Sequence, residues 1–218
     1  MSAPGTVTSI RPHPKRPSHY TVTIEGQEEL VLHEDVIVAV GLTAGKQLTP
    51  DMLDRITHED QLFRARDAAL RLLKVRGRSE WELERSLARK GFSPEVVSAT
   101  LAKLENLGFV DDASFARDRA QSLLRRHIGR QGLLYRLRES GVSEEVARGV
   151  VAEALEDVDD VQRATEALTK RLRRWEDLPG DKRRARAYQH LYRLGFDPDT
   201  ILSALQRALA DDSETEDL

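Results

Sequence analysis

The chain has 218 residues, 34 basic and 37 acidic side chains, 33% charged and 39% hydrophobic residues, and only 5% aromatics. This balance favours charged helices over an aromatic-rich β sandwich, and the length provides for at least one apolar core. Zero cysteines exclude a disulfide framework, a thiol nucleophile and any cysteine-ligated zinc or iron–sulfur centre. No apolar run approaches the ~20 residues that cross a bilayer, and the opening MSAPGTVTSIRPHPKRP lacks a signal-peptide centre, so a cytoplasmic location is expected.

Residues 1–61 read as a separate module. Tyr20, Val22 and Ile24 alternate with Thr21 and Thr23, and Leu30 to Leu32 follow a turn at Gly26-Gln27, which predicts a hairpin. An earlier strand is expected near Thr6–Ile10, with the proline-rich RPHPKRPS as a loop. Glu34–Val40 predicts a short helix stopped at Gly41, and Thr49-Pro50-Asp51 starts another. GLTAGK (Gly41–Lys46) is not a phosphate-binding loop: its glycines are one residue too close and Gln47 stands where a Ser or Thr must ligate Mg²⁺.

From residue 62 the chain repeats. KGFSPEVVSATLAKL from Lys90, SGVSEEVARGVVAEAL from Ser140 and LGFDPDTILSALQRAL from Leu194 align on Gly91, Gly141 and Gly195, a period of 50 and then 54 residues. Each glycine suits a left-handed helix end. It is followed by an apolar residue (Phe92, Val142, Phe196), a cap (Ser93, Ser143, Asp197) and a first-turn carboxylate (Glu95, Glu145, Asp199) that the helix dipole favours. Leucine precedes each glycine by four positions (Leu87, Leu137, Leu191), and an apolar residue follows by ten (Leu101, Val151, Leu205).

An amphipathic helix lies upstream of each such segment, giving three-helix repeats over 62–111, 112–157 and 158–210. In the first repeat, Ser79 and Glu82 make a capping box. The fold class is mainly α: tandem three-helix repeats forming an elongated curved array, with a small N-terminal β-containing module. Residues 211–218 (DDSETEDL) read as an acidic, disordered tail. The large aromatics Trp81, Trp175, Tyr135, Tyr188 and Tyr192 are expected to pack against neighbouring helices.

Charge is uneven along these segments: −4 over 1–61, +3 over 62–157, +3 over 158–210 and −5 in the tail. Basic residues gather where the first helix of each repeat ends. They are Arg71, Lys74, Arg76 and Arg78; then Arg125, Arg126 and Arg130; then Arg171, Arg173, Arg174, Lys182, Arg183, Arg184 and Arg186. Cations near a helix C-terminus gain roughly 0.3–1 kcal/mol each, which accounts for part of the pattern. It leaves the third group unexplained, where basic residues fill both sides of the connector. Such a surface suits a polyanion or an acidic groove.

The pattern contains no GxSxG, no glycine-rich dinucleotide loop and no HExxH, and the six histidines are scattered. Asp111-Asp112 and Asp159-Asp160 each precede a helix and read as caps. No catalytic residue, cofactor or metal is expected, and the chain reads as a binding protein rather than an enzyme.

RGRSEWELERSLARKGF (Arg76–Phe92) followed by LENLGFVDDASFA (Leu104–Ala116) resembles the RecX family, bacterial regulators of the RecA recombinase. The resemblance runs through the glycine-turn repeats to about residue 210 and includes HEDVIVAVGLTAGKQL (His33–Leu48), a β-containing extension of some members. It implies a modular helical protein lying in the groove of the RecA–DNA filament, inhibiting ATP hydrolysis, strand exchange and filament growth, and binding DNA weakly. The expected partners are thus the RecA filament and, through it or weakly, DNA, with no membrane and the chain as a monomer. The alternative is a stand-alone helix-turn-helix-like DNA-binding regulator.

Overall fold

The structure, a computed structural model, describes residues 5–26 and 29–215, the side chains of 170 and 210–215 excepted. The fold is mainly α, three three-helix units preceded by a small strand module. The chain forms two compact units, Met1–Arg78 with Leu83–Val110, and Ser79–Glu82 with Asp111–Leu218.

In the first unit, β1 (Gly5–Pro12), β2 (His19–Ile24), β3 (Leu30–His33) and β4 (Gln47–Leu48) make an antiparallel sheet of order β3-β2-β1-β4. The alternation read in β2 is real: Val22 and Ile24 are buried with Val7, Leu32 and Leu48. Part of the turn expected at Gly26-Gln27 lies outside the described residues, and Gly26 has the left-handed φ of 73°. β4 is too short to show any alternation. It is held to β1 by pairing of Gly5 with Leu48 and Thr6 with Gln47.

Helix α1 (Glu34–Val40) ends at Gly41, whose φ of 64° is left-handed. Its N-cap is His33, an unusual choice, with Nδ1 accepting from the Asp35 amide at 3.1 Å. The lysine of GLTAGK serves the fold. Lys46 Nζ donates to the Gly41 carbonyl at 2.6 Å, closing the end of α1. Helix α2 runs from Pro50 to Val75, with Thr49 Oγ1 accepting from the Met52 amide. It therefore passes straight across the boundary expected at 61/62, because no glycine, proline or cap interrupts it. Leu53, Ile56 and Phe63 serve the strand module's core, while Ala69, Leu72 and Leu73 serve the first repeat.

The repeats follow. α3 (Glu80–Arg89) and α4 (Pro94–Asn106) complete the first; α5 (Asp112–Leu124), α6 (Arg130–Glu139) and α7 (Glu144–Ala154) form the second. α8 (Asp160–Leu172), a 3₁₀ turn at Arg173–Trp175, α9 (Gly180–Leu194) and α10 (Pro198–Thr215) form the third. Gly91, Gly141 and Gly195 have φ of 89°, 85° and 86°, so all three turns are left-handed, in line with the repeat pattern. Ser93, Ser143 and Asp197 accept from the amides of Val96, Val146 and Thr200. Leu87, Leu137 and Leu191 are fully buried, and Leu101, Val151 and Leu205 nearly so, each set at the heart of its own repeat's core. α10 carries as far as Thr215, into the stretch expected as an acidic tail; 216–218 lie outside the described residues.

Within the second unit, the middle helices meet end to end. The first amides of α6 lack intrahelical partners, as do the last carbonyls of α9. They satisfy one another: Gly129 donates to the Leu194 carbonyl at 2.9 Å and Gln131 to the Gly195 carbonyl at 3.0 Å. The approach is backbone on backbone. A Cβ on Gly129, Gly132 or Gly195 would overlap main-chain atoms across the junction. Arg163 of α8 braces the same place, donating to the Ile128 carbonyl at 2.6 Å with its guanidinium 5.8 Å from the Phe196 ring centroid.

The first turn of α3, also part of this unit, repeats the arrangement with side chains. Ser79 is fully buried; its hydroxyl accepts from the Glu82 amide and donates to the Ser140 carbonyl. Trp81 lies over Gly141, where a Cβ would strike the indole, and the Glu80 amide donates to Asp112 Oδ1 at 2.8 Å.

Gly91 and Gly195 separate the two demands on such a glycine. Both have a left-handed φ, but Gly91 has open space where a Cβ would stand. We expect Gly91→Ala to cost about 1–2 kcal/mol of stability. Gly195→Ala should cost roughly twice that or more, because overpacking adds to the backbone strain. Urea unfolding monitored by circular dichroism compares the two, and equal losses would show that the close approach carries no energy.

Candidate partner-binding surface

The basic groups are positioned by the connectors between the first and second helix of each repeat. In the first unit Arg71 pairs with Asp67 at 2.8 Å, one helical turn back, and Arg76 donates to the Gly77 carbonyl at 2.7 Å. Lys74 is exposed, and Arg78 is half-buried with its Nε sealed from solvent. The structure therefore engages Arg71, Arg76 and Arg78 locally and leaves Lys74 as the extended cation of this group.

The groups in the second unit are more open. Arg125 and Arg126 on the α5–α6 connector and Arg130 at the start of α6 are exposed, and none forms an ion pair among the described residues. The same is true of Arg171, Arg173, Arg174, Lys182, Arg184 and Arg186 around the α8–α9 connector. Arg183 differs: it is half-buried and donates to the Leu172 carbonyl, closing the end of α8.

Helix energetics explain only part of this set: Arg125 and Arg171 stand at helix C-termini, where the dipole favours a cation. Arg130 and Lys182 stand in the first turns of α6 and α9, where the dipole disfavours a cation. The field reaches His190, held below the usual histidine range by burial first and then by Arg171 and Arg193. Unpaired guanidiniums gathered around short connectors are suited to an anionic partner.

The first residue of each acidic pair is a helix cap. Asp111 accepts from the Ser114 amide and Asp159 from the Gln162 amide, each at 2.9 Å. Asp112 accepts from Glu80 as described, and Asp160 pairs with Arg163. Asp197 is held below the usual carboxylate range by hydrogen bonds from the Thr200 hydroxyl and amide, and Glu144 by hydrogen bonds from Arg148 and Arg138. These shifts belong to helix starts, with no facing acid–base pair.

Two surface features escaped the sequence reading. Leu107 and Phe109, on either side of the left-handed Gly108, are 53% and 55% exposed, and Phe109 lines a depression with Leu70, Leu73 and Lys74. The residue order LGFV already placed two large apolar side chains in a turn. Trp175 and Tyr188 do pack on the third core, but Tyr135 and Tyr192 do not pack as expected: they are 61% and 63% exposed. The inward faces of α6 and α9 are set by Leu133, Leu137, Ala187 and Leu191, which turns both tyrosines outward. Among the described residues, no helix is long and apolar enough to cross a membrane.

Two family models match the chain: the first three-helix domain of RecX over residues 65–104 and the third over 157–205. The regulatory protein RecX of Prosthecochloris aestuarii is 35% identical over 149 residues, spanning 67% of this chain and 94% of that protein. That of Halorhodospira halophila is 38% identical over 149 residues, 67% and 89% of the two chains. A crystal structure of regulatory protein RecX superposes with a TM-score of 0.73 over 92% of this chain and 98% of that one, at 22% identity. RecX from Lactobacillus salivarius gives 0.58 over 68% and 97%, at 20% identity. At those identities the two structures bear on the fold alone.

The neighbours Arg183 and Arg184 separate structural from available cations. Arg183→Ala should lower stability by about 1 kcal/mol, since its bond to the Leu172 carbonyl is long at 3.4 Å. Arg184→Ala should leave it unchanged. Thermal unfolding of both variants checks this, and equal effects would contradict the assignment.

Proposed function

The chain belongs to the RecX family of regulatory proteins, and on that footing we propose that it restrains the RecA recombinase by binding the RecA–DNA filament. In this reading it inhibits ATP hydrolysis and strand exchange and limits filament growth, and it performs no chemistry of its own. The observation that carries the proposal is the set of exposed, unpaired arginines on the α5–α6 and α8–α9 connectors. In this reading the filament supplies DNA phosphate, and acidic protein surface beside it, at close intervals. Successive repeats on one chain engage it with the gain in effective concentration that linkage brings.

A stand-alone helix-turn-helix regulator fits less well. The third helix of each repeat, which would enter the major groove, starts with exposed acids: Glu95 in α4, Glu144 and Glu145 in α7, Asp199 in α10. These would repel phosphates rather than read bases.

RecA's ATPase on single-stranded DNA, titrated with this protein, tests the function. The rate should fall as the protein is added, with the effect weakening as salt is raised. An unchanged rate at several-fold excess and low salt would contradict the proposal. Arg125→Glu combined with Arg126→Glu should weaken inhibition while helicity and melting temperature stay nearly the same. Loss of fold would instead make those arginines structural.

A further inference from the structure

Where α6 meets the end of α9, the chain builds a groove that the RecA reading does not use. It has a volume of about 470 Å³ and is lined by Gln131, Tyr135 and Arg136 from α6, and by Tyr192, Arg193 and Phe196 from α9 and the turn beyond it. The two tyrosine rings that flank it are largely in solvent, at 61% and 63% exposure. Two exposed rings flanking one groove make a grouped apolar surface that contributes little to the core, and grouped exposure of that kind marks an interaction site.

The polar groups around the rings have a consistent sign. Arg136 and Arg193 each directly follow a tyrosine, and neither is in an ion pair among the described residues. Arg193 Nε donates to the Gln189 carbonyl at 3.2 Å, which orients the guanidinium and leaves its terminal nitrogens open. The one carboxylate in the wall, Asp197, is engaged internally by the Thr200 amide and hydroxyl at 2.9 and 2.6 Å. Tyr188, one turn back from Tyr192, lies nearly parallel to it, at 13° with centroids 6.4 Å apart, extending the aromatic surface along α9.

Flat rings beside unpaired guanidiniums match the two faces of a nucleotide. An unstacked base gains by lying on a tyrosine, and its phosphate is met by the adjacent arginine. A duplex cannot use such a site because its base faces are already stacked. We propose that the groove between α6 and α9 is a binding site for single-stranded nucleic acid, in which Tyr135 and Tyr192 stack on bases and Arg136 and Arg193 hold the backbone. Recognition of this kind is tolerant of sequence, because every base presents a π face. The site is separate from the connector arginines and does not depend on the RecA proposal.

Fluorescence anisotropy of a labelled oligothymidylate of about 20 nucleotides, titrated with the full chain at low salt without RecA, tests it. The protein should bind this strand at least fivefold more tightly than an abasic strand of equal length and charge. Tyr135→Ala with Tyr192→Ala should weaken binding about tenfold or more and erase that preference. Tyr135→Phe with Tyr192→Phe, which keeps the stacking face, should bind within twofold of the parent and controls for folding. Absence of binding, equal binding to the abasic strand, or an alanine variant that binds like the parent would overturn the proposal. An alanine variant that binds DNA normally but no longer inhibits RecA would overturn it too, making the groove a protein contact.

Discussion

A helix in water leaves its first amides and last carbonyls without partners, and a protein assembled from short helices meets that deficit many times over. At the junction of α6 and α9 the deficits cancel, amide to carbonyl, through Gly129, Gln131, Leu194 and Gly195. The bonds form only because glycine lets the two backbones approach, so three small residues decide whether the helices join. At Ser79 a buried hydroxyl achieves the same end, bridging its own helix start and the Ser140 carbonyl. Gly141 and Gly195, the left-handed glycines that end α6 and α9, are thus also the surfaces on which another helix starts. Gly91 lacks that second role, having open space around it.

This way of joining helices has a consequence for charge. Main-chain groups and a few engaged side chains, such as Arg163 and Arg183, secure the helix ends of the second unit, and the exposed arginines around its two basic connectors form no ion pair among the described residues. Arg130 and Lys182 even oppose the dipole of the helices they begin. Their exposure without ion-pair partners is what distinguishes them from Arg71 or Arg138, which neighbouring carboxylates occupy. The proposed filament binding would use the exposed arginines and would not need those already occupied.

Much of this was legible in the residues. The glycine turns, their serine and aspartate caps, and the buried leucines four residues upstream all follow from local rules that packing reinforces rather than opposes. Where reading failed, the reason is physical. The boundary at 61/62 rested on a change of composition, yet α2 contains nothing that breaks a helix, so one helix serves two cores. The strand β4 is defined by its partner alone. Tyr135 and Tyr192 were read by size, whereas helical phase relative to Leu133 and Leu191 places them outside. The lysine of GLTAGK closes α1 because a short helix end uses the nearest suitable group, whereas the aspartates ahead of α5 and α8 cap those helices as their position predicts. The junction glycines were visible as letters, but their shared contact depends on two segments more than sixty residues apart in sequence.

Amide hydrogen exchange of the intact chain, with and without RecA–DNA filaments, tests the central claim most directly. Alone, the Gly129 and Gln131 amides should be protected like those inside α6, although a helix start is ordinarily unprotected. With filaments present, that protection should persist while the connectors at 125–130 and 173–186 become newly protected. Rapid exchange at Gly129 and Gln131 in the free protein, or filament-induced protection confined to other segments, would contradict the account.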